Sequence, residues 1–296
     1  MMHRSGFVAI IGRPNVGKST LLNALIGEKV AIVTERPQTT RNQIRAVLTR
    51  DDAQIIFIDT PGLHKPKHKL GSVMVQKARN TIKEVDLIFF MVEAHRPPGY
   101  GDKQIAELLQ ATRAPLYLLL NKSDLGLPDE LHTYKELYEK MGTFKEVFAL
   151  SALQETNLNS LINATVKELP EGPQFYPPGM ITDQPEQFIV SEIIREKIIP
   201  LTRQEIPFSI AVVVEELNFR KDRELIDIRA DILVERKSQA GIVIGKNGSM
   251  LKEIGIMARQ ELEAIFGEQV YLNLHVKVKK DWRSDDRELS RLGYTD

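Results

Sequence analysis

The sequence contains no cysteine. It can therefore form neither disulfide bonds nor thiolate metal sites, and it has no cysteine nucleophile, a composition that suits a reducing compartment. Long hydrophobic runs are missing as well. Phe7–Ile11 is too short for the core of a signal peptide, and Leu87–Val92 and Leu116–Leu120 fall far below the roughly 18 residues of a membrane span. We therefore expect a cytoplasmic protein.

Neither sign of charge is in excess, because 40 Lys and Arg residues balance 40 Asp and Glu residues. A nucleic-acid site must then be a local basic patch rather than a property of the whole chain. The 296 residues predict two domains at roughly 150 residues each. Hydrophobic residues at 42% and charged residues at 27% are typical of folded globular proteins.

The first 170 residues alternate short apolar runs with longer helix-like segments. This alternation predicts βαβ units in a doubly wound, mostly parallel α/β sheet. The predicted strands are Phe7–Ile11, Gln54–Ile58, Leu87–Val92, Leu116–Leu120 and Glu146–Leu150. The predicted helices are Ser19–Ile26, Gly71–Lys83, Lys103–Thr112, Asp129–Met141 and Thr156–Leu169. A further strand, Ile44–Thr49, is separated from Gln54–Ile58 by two aspartates, which predicts an antiparallel hairpin at the sheet edge.

A proline-rich stretch, PEGPQFYPPG, begins at Pro170 and predicts a linker between domains. Beyond it the pattern predicts a smaller α+β domain. Its predicted elements are a helix over Pro185–Leu201, strands over Phe208–Glu215 and Leu225–Glu235 with a charged turn at Arg220–Arg223, a helix ending near Phe266, and a last strand over Gln269–Val278. The predicted organisation is a first domain over residues 1–170, a linker over 171–186, a second domain over 187–282 and a C-terminal tail over 283–296.

The strongest motif is the phosphate-binding pattern G-x-x-x-x-G-K-S between the first predicted strand and the first predicted helix. It consists of Gly12, Arg13, Pro14, Asn15, Val16, Gly17, Lys18 and Ser19, and Thr20 follows it. The glycines let backbone N–H groups turn toward phosphate oxygens at a helix N-terminus. Lys18 would span the β- and γ-phosphates of a nucleoside triphosphate, and the Ser19 hydroxyl would ligate Mg²⁺. The alternative, a chance glycine-rich turn, leaves the flanking strand and helix unexplained.

A second motif closes the predicted strand Gln54–Ile58 and consists of Asp59, Thr60, Pro61 and Gly62. A carboxylate at this edge of the sheet lies where Mg²⁺ needs an acidic partner, usually through water. Gly62 would offer its backbone N–H to the γ-phosphate.

Between the two motifs, the polar loop from Glu35 to Arg41 holds two threonines, Thr39 and Thr40. Either threonine is an ordinary loop residue, or one of them supplies a second hydroxyl to Mg²⁺ when the γ-phosphate is present.

A third motif follows the predicted strand Leu116–Leu120 and indicates which base is bound. It consists of Asn121, Lys122, Ser123 and Asp124. The Asp124 carboxylate can accept from both N1–H and N2–H₂ of guanine, whereas adenine has no such pair of donors at that edge. Asn121 would tie this loop to the phosphate-binding loop, and the aliphatic part of Lys122 would cover the base. Ser151, Ala152 and Leu153 follow the last predicted strand, where a backbone N–H could meet guanine O6.

Taken together, the segments GRPNVGKS, PQTTR, DTPGL and NKSD resemble the TrmE-Era-Der branch of the translation-factor-like GTPases. The resemblance implies GTP and GDP as ligands, Mg²⁺ as cofactor, and catalytic roles for Lys18, Thr40 and Gly62. Thr40 is preferred over Thr39 because in similar GTPases the threonine directly precedes an arginine.

The resemblance has two further implications for catalysis. Leu63 stands where Ras-like GTPases have their water-orienting glutamine, which implies the hydrophobic-substituted kind of catalysis. Asn15 matches the asparagine that coordinates K⁺ in K⁺-dependent relatives. An asparagine in this loop can also serve only the hydrogen bonds of the loop itself, so K⁺ and a purely structural role both stay open.

The second domain carries Gly245, Lys246, Asn247 and Gly248 between an apolar run and a predicted helix. In KH domains a G-x-x-G loop between two helices clamps a single-stranded nucleic-acid backbone. Residues 236–280 are locally basic, with eight Lys and Arg against four Glu. With two predicted strands before the loop and one after it, this region resembles a type II KH domain. A simple capping turn stays the alternative, and for the single Trp282 both packing and stacking on RNA stay open.

A GTPase domain followed by a type II KH domain resembles the bacterial ribosome-associated GTPases of the same branch over nearly the full chain. The resemblance implies a monomer that binds single-stranded RNA. The RNA is expected near the 3′ end of small-subunit ribosomal RNA, on the 30S subunit during its assembly. The resemblance also implies a loose peripheral association with the inner face of the cell membrane. Two other hypotheses remain. One is a passive RNA-binding adaptor that senses nucleotide and hardly hydrolyses it, and the other is a P-loop kinase or ATPase, against which Asp124 argues.

Overall fold

A computed structural model of the chain describes residues 3–34, 36, 39–63, 66, 68–203, 205–220 and 224–295. The predicted loop residues Glu35, Pro37 and Gln38 lie outside this described part, as do residues 221–223 of the predicted turn. The chain divides into two compact units, with the main division after Asp183.

The first unit contains a six-stranded sheet in the order β2-β3-β1-β4-β5-β6. Its strands are β1 (Arg4–Gly12), β2 (Ile44–Thr49), β3 (Ala53–Asp59), β4 (Leu87–Glu93), β5 (Leu116–Asn121) and β6 (Glu146–Ala149). Its helices are α1 (Lys18–Ile26), α2 (Lys69–Thr81), α3 (Tyr100–Gln110), α4 (Pro128–Glu139) and α5 (Leu158–Glu168). All pairings are parallel except that of β2 with β3. The predicted fold class and the antiparallel hairpin at the sheet edge are confirmed.

The proline-rich segment after Pro170 lies along the first unit instead of only connecting the two units. The fully buried Gln54 on β3 accepts hydrogen bonds from Phe175 N at 2.7 Å and Tyr176 N at 2.9 Å, and it donates to Tyr176 O. Further along, Val47 N on the edge strand β2 donates to Ile181 O. The segment therefore satisfies backbone groups that an edge strand would otherwise leave unpaired.

The second unit has a three-stranded sheet in the order β7-β8-β9, in which β7 and β8 are antiparallel and β8 and β9 are parallel. Its elements are α6 (Glu186–Leu201), α7 (Ile206–Ser209), β7 (Ala211–Arg220), β8 (Leu225–Val234), α8 (Lys237–Ile244), α9 (Ser249–Phe266), β9 (Gln269–Val278) and α10 (Asp286–Arg291). The parallel pair requires a crossover, which α8 and α9 provide. This order of elements is the one expected for the α+β domain.

One predicted strand, Phe208–Glu215, is displaced in the structure. Phe208 and Ser209 belong to the short helix α7, and β7 runs from Ala211 to Arg220. The reason is Pro207, which lies in the first turn of α7. Proline suits the start of a helix and offers no N–H to a strand ladder.

The C-terminal residues pack onto the second unit. Trp282 is fully buried, its Nε1–H donates to Ser209 O at 2.9 Å, and its ring stacks on that of Tyr294. Of the two roles left open for Trp282, packing is therefore the one that the structure shows.

The helices in the described part of the chain include none with the length and apolar character of a membrane-spanning segment.

Candidate nucleotide site and KH loop

The phosphate-binding loop joins β1 to α1 and is pressed against the neighbouring strand. A Cβ atom on Gly12 would lie 2.4 Å from the carbonyl oxygen of Met91 on β4, so no larger residue fits there. Gly17, the residue before α1, has φ +104°, in the left-handed region that favours glycine. The two glycines of the motif are thus needed for the close approach and for the turn into the helix.

Lys18, the first residue of α1, turns its ammonium group back into this loop. Its Nζ donates to Arg13 O at 3.1 Å and to Gly12 O at 3.4 Å, and the side chain is buried. Burial lowers the pKa of Lys18 below its ordinary value, and the nearby charge of Asp59 offsets only part of that lowering. A buried cation held by the loop's own carbonyl groups is positioned to meet the phosphates of a nucleotide.

Three side-chain oxygens meet where α1 and β3 approach each other. Asp59 Oδ2 accepts from Ser19 Oγ at 2.7 Å and from Thr40 Oγ1 at 3.1 Å, and the two hydroxyl oxygens are 3.0 Å apart. Thr40, rather than Thr39, is thus the loop threonine that makes these contacts with Ser19 and Asp59.

The second oxygen of Asp59 marks a place for a cation. Oδ1 is buried and has no hydrogen-bond partner among the described residues. Burial raises the pKa of Asp59, and the charge of Lys18 and the Ser19 and Thr40 hydroxyls oppose that rise. A buried carboxylate beside two hydroxyl oxygens matches the hard oxygen ligands of Mg²⁺.

The segment after Asp59 lies against the phosphate-binding loop. Thr60 Oγ1 donates to Ile10 O at 2.9 Å, and Pro61 and Gly62 are buried. A Cβ atom on Gly62 would lie 2.8 Å from Pro14 N. The Gly62 backbone is therefore held beside the loop that would contact phosphate. The next residue, Leu63, is half-buried and packs against the apolar core of the first unit.

Asn121, at the end of β5, connects two loops. Its Nδ2 donates to Val16 O at 2.8 Å in the phosphate-binding loop, and its Oδ1 accepts from Ala152 N at 2.9 Å. The backbone N–H of Ser123 donates a hydrogen bond to Leu150 O, which connects the turn after β5 to the segment that precedes Ser151. Ser151 Oγ accepts from the backbone N–H of Gln154, which shapes the second loop. The structure thus brings together the two segments expected to recognise guanine.

The two side chains at the ends of these segments are open to solvent. Asp124 is exposed within the short 3₁₀ turn Ser123–Leu125, and Leu153 is 74% exposed. Lys122, just before that turn, has φ +62°, which directs the chain sharply away from β5. An exposed carboxylate on a turn held at its base by Asn121 is accessible to the edge of a nucleobase.

A charged network near these loops was missed by the sequence analysis. Glu93, the last residue of β4, accepts from Lys122 Nζ at 2.5 Å, and the same Nζ donates to Asn15 O at 2.9 Å. Arg13 approaches Glu93 Oε2 at 3.6 Å and donates from Nε to the buried Asp102 at 2.7 Å. This network joins the phosphate-binding loop to the base-recognition loop.

The charge state of Glu93 follows from these neighbours. Burial alone would raise the pKa of Glu93, but the hydrogen bond and charge of Lys122, with the charge of Arg96, bring it below the ordinary value. The signal that could have identified Glu93 is the one that identified Asp59, a carboxylate at the carboxyl end of a buried parallel strand.

The G-x-x-G loop of the second unit connects α8 to α9 with an unusual backbone. Gly245, Asn247 and Gly248 all have positive φ, at +74°, +52° and +79°. A Cβ atom on Gly245 would lie 2.7 Å from Met250 N. A larger residue at this position would therefore both clash with Met250 and have to adopt an unfavourable positive φ. Lys246 and Asn247 are exposed at the tip. The loop thus offers its backbone and two polar side chains to a ligand.

A cavity of about 430 Å³ lies beside this loop between α9 and β9. Its apolar lining includes Leu251 and Ile256, Lys252 and Arg259 add positive charge, and the 59% exposed ring of Tyr271 lies on β9. Positive charge along a groove that also carries an aromatic ring is typical of surfaces that bind single-stranded nucleic acid.

Comparisons with known proteins agree with both halves of the chain. The sequence profile of a family described as 50S ribosome-binding GTPase matches residues 7–122, and that of a KH domain matches residues 205–283. The chain is 40% identical to a variant of Era from Aquifex aeolicus bound to GDP and AlF₄⁻, with a TM-score of 0.95 and coverage of 99% of each chain. The same values hold for an Era bound to MgGDPNP and nucleotides 1506–1542 of 16S ribosomal RNA. The predicted pairing of a GTPase domain with a KH domain is confirmed.

Glu93→Gln tests the network that holds Lys122. The amide keeps the size of the side chain but removes the charge that holds the Lys122 ammonium, so we expect the affinity for GDP to fall about fivefold to tenfold, roughly 1 to 1.4 kcal/mol. Titration with a fluorescent GDP analogue measures it. Glu107→Gln, a change of an exposed carboxylate on α3, serves as the matched control. Unchanged GDP affinity in Glu93→Gln would show that the network is not used in binding.

Proposed function

This chain belongs to the Era family of GTPases, and we propose that it is a GTP-dependent switch that binds small-subunit ribosomal RNA during 30S assembly. The main support for this proposal is the position of the site residues in the chain. The first unit holds the phosphate-binding loop, the mutually contacting oxygens of Ser19, Thr40 and Asp59, and the loop that begins at Asn121. The second unit contains a KH domain.

GTP hydrolysis would proceed with the reacting groups held by the backbone of the phosphate-binding loop. Lys18 would bind the β- and γ-phosphates, and the N–H of Gly62 would donate to the γ-phosphate. Mg²⁺ held near Ser19, Thr40 and Asp59 would neutralise part of the phosphate charge. Leu63 has no polar atom in its side chain, so it cannot orient a water molecule by a hydrogen bond. Orientation of the attacking water would then depend on backbone groups, and a monovalent cation beside Asn15 would offset charge on the phosphates.

RNA binding would use the second unit. The related Era complex contains nucleotides 1506–1542 of 16S ribosomal RNA. We propose that this chain binds the corresponding 3′ region of the small-subunit RNA, with Gly245–Gly248 against the phosphate backbone and the groove beside α9 receiving bases. The positive charges of Lys252 and Arg259 and the exposed ring of Tyr271 support this assignment.

For the functional boundaries we keep those that the sequence predicts. We propose that residues 1–170 bind and hydrolyse GTP, that 187–282 bind RNA, and that the intervening segment and the C-terminal tail support these two domains. We further propose a monomer that works in the cytoplasm on the 30S subunit. Its association with the inner face of the cell membrane, where it occurs, would be peripheral.

Asp124→Asn tests the assignment of guanine. An asparagine amide can donate to the C2 carbonyl of xanthine, where aspartate can only accept, so the variant should prefer XTP to GTP by at least about tenfold. Displacement of a fluorescent nucleotide by GTP and by XTP measures the preference. Asp129→Asn, on α4, should keep the preference for GTP. An Asp124→Asn protein that still prefers GTP would contradict the assignment.

The proposed K⁺ site at Asn15 is tested by exchanging the monovalent cation. A cation beside the phosphates offsets charge that develops in the transition state, so GTP hydrolysis should be about tenfold faster in K⁺ than in Na⁺. Asn15→Ala should abolish this difference while GDP affinity changes little. Single-turnover rates in KCl, NaCl and RbCl measure it, since Rb⁺ is close to K⁺ in size. Equal rates in K⁺ and Na⁺ for the unaltered protein would exclude the site.

The RNA-binding role of the G-x-x-G loop is tested by replacing Lys246 and Asn247 together with Asp. Two negative charges placed against the RNA backbone, and the loss of one positive charge, should weaken binding of a single-stranded RNA by at least about a hundredfold and reduce its salt dependence. RNA and GTP affinities are measured on the same preparation. GTP affinity should not change, because the substitutions lie in the other unit. Near-normal RNA binding would mean that Gly245–Gly248 only caps a helix.

A further inference from the structure

A surface cavity of about 580 Å³ on the first unit shares no lining residue with the nucleotide site. It lies between the end of α2 with the turn that follows it and the end of α3 with the turn that leads to β5. Ile82, Val85, Leu108 and Ala114 form its apolar part. Ile82 is buried, and the other three are half-buried and pack against the same apolar core. We refer to this cavity as the α2–α3 groove.

Positive charge surrounds the apolar part of the α2–α3 groove. Arg79 and Lys83 come from the α2 side and Arg113 from the opposite side, and all three side chains are exposed. Within the described part of the chain, none of the three makes an ion pair or a side-chain hydrogen bond, and no carboxylate lines the groove. The nearby Asp86 is engaged elsewhere, because its Oδ2 accepts from Phe7 N at 2.7 Å. Among the described residues that line the groove there are therefore three positive charges and no negative one.

The composition of the groove distinguishes between two kinds of anionic partner. None of its lining residues in the described part of the chain is aromatic, so the bases of a single-stranded RNA would find no stacking platform there. An RNA backbone would also leave the apolar surface of Val85, Leu108 and Ala114 uncovered. A peptide that carries both carboxylates and apolar side chains matches the two parts of the groove at once.

We propose that the α2–α3 groove docks an acidic amphipathic segment of a partner protein. Apolar side chains of that segment, spaced three or four residues apart on one face of a helix, cover Val85, Leu108 and Ala114. Its aspartates and glutamates pair with Arg79, Lys83 and Arg113 at the rim, where complementary charge selects the partner and speeds its association. This role is separate from GTP hydrolysis and from RNA binding by the KH domain.

The proposal is tested by selecting ligands from a phage-displayed library of random peptides on the immobilised full-length protein. We expect the enriched peptides to carry a net negative charge and apolar residues at helical spacing. A synthetic copy of the most enriched peptide should bind the triple variant Arg79→Glu, Lys83→Glu, Arg113→Glu at least about tenfold more weakly than the unaltered protein.

The matched control changes the same number of charges on the same unit outside the groove, with Lys103→Glu, Lys140→Glu and Lys167→Glu, all exposed. The control variant should bind the peptide normally, and unchanged GDP affinity should show that both variants are folded. A library that yields no acidic amphipathic peptide, or a peptide that binds both variants equally, would overturn the proposal. Loss of affinity for a single-stranded RNA in the groove variant alone would also overturn it and assign the groove to RNA.

Discussion

The structure of the nucleotide site depends on two oppositely charged groups that are both buried and close enough for each charge to act on the other, the Lys18 ammonium and the Asp59 carboxylate. Burial disfavours the charged form of both groups, and each charge offsets part of that cost for the other. Loop carbonyls accept from Lys18, and the Ser19 and Thr40 hydroxyls donate to one Asp59 oxygen, while the second oxygen has no partner among the described residues. Phosphate oxygens would meet the Lys18 ammonium, and a divalent cation would be held near the Asp59 carboxylate. The site is therefore matched to a nucleoside triphosphate with Mg²⁺.

The parallel sheet brings the remaining parts to the same place. The loops that follow β1, β3, β4 and β5 all leave the sheet at its carboxyl edge, so residues distant in sequence become neighbours. Asn121 then fixes the spacing between phosphate recognition and base recognition through bonds to Val16 and Ala152. Glu93 adds a second connection through Lys122 and Asn15. The phosphate-binding loop and the loop that we propose to recognise the base are thus connected by hydrogen bonds, so that a shift of one loop would displace the other.

Local motifs made much of this predictable from the sequence. The pattern around Gly12 and Lys18 needs only a strand, a turn and a helix, and strand ends could be located from apolar runs. Three features depended on contacts that a linear pattern does not contain. Glu93 ends a buried strand as Asp59 does, but no motif follows it, and its contact with Lys122 is visible only in the structure. The segment after Pro170 packs on the first unit because a buried Gln54 accepts its backbone N–H groups. Phe208 is apolar enough for a strand, but Pro207 starts a short helix there.

We propose that Lys18, Asp59 and the loop that begins at Asn121 form one site for guanosine triphosphate. Phosphate release from GTP by the full-length protein with Mg²⁺, measured while ATP is added up to about a hundredfold excess, tests it most directly. We expect GTP to be hydrolysed to GDP and phosphate, and we expect ATP neither to slow this reaction nor to be hydrolysed itself. Inhibition by ATP at concentrations similar to those of GTP would show that the site does not select guanine. If no phosphate is released from GTP, the site does not hydrolyse it.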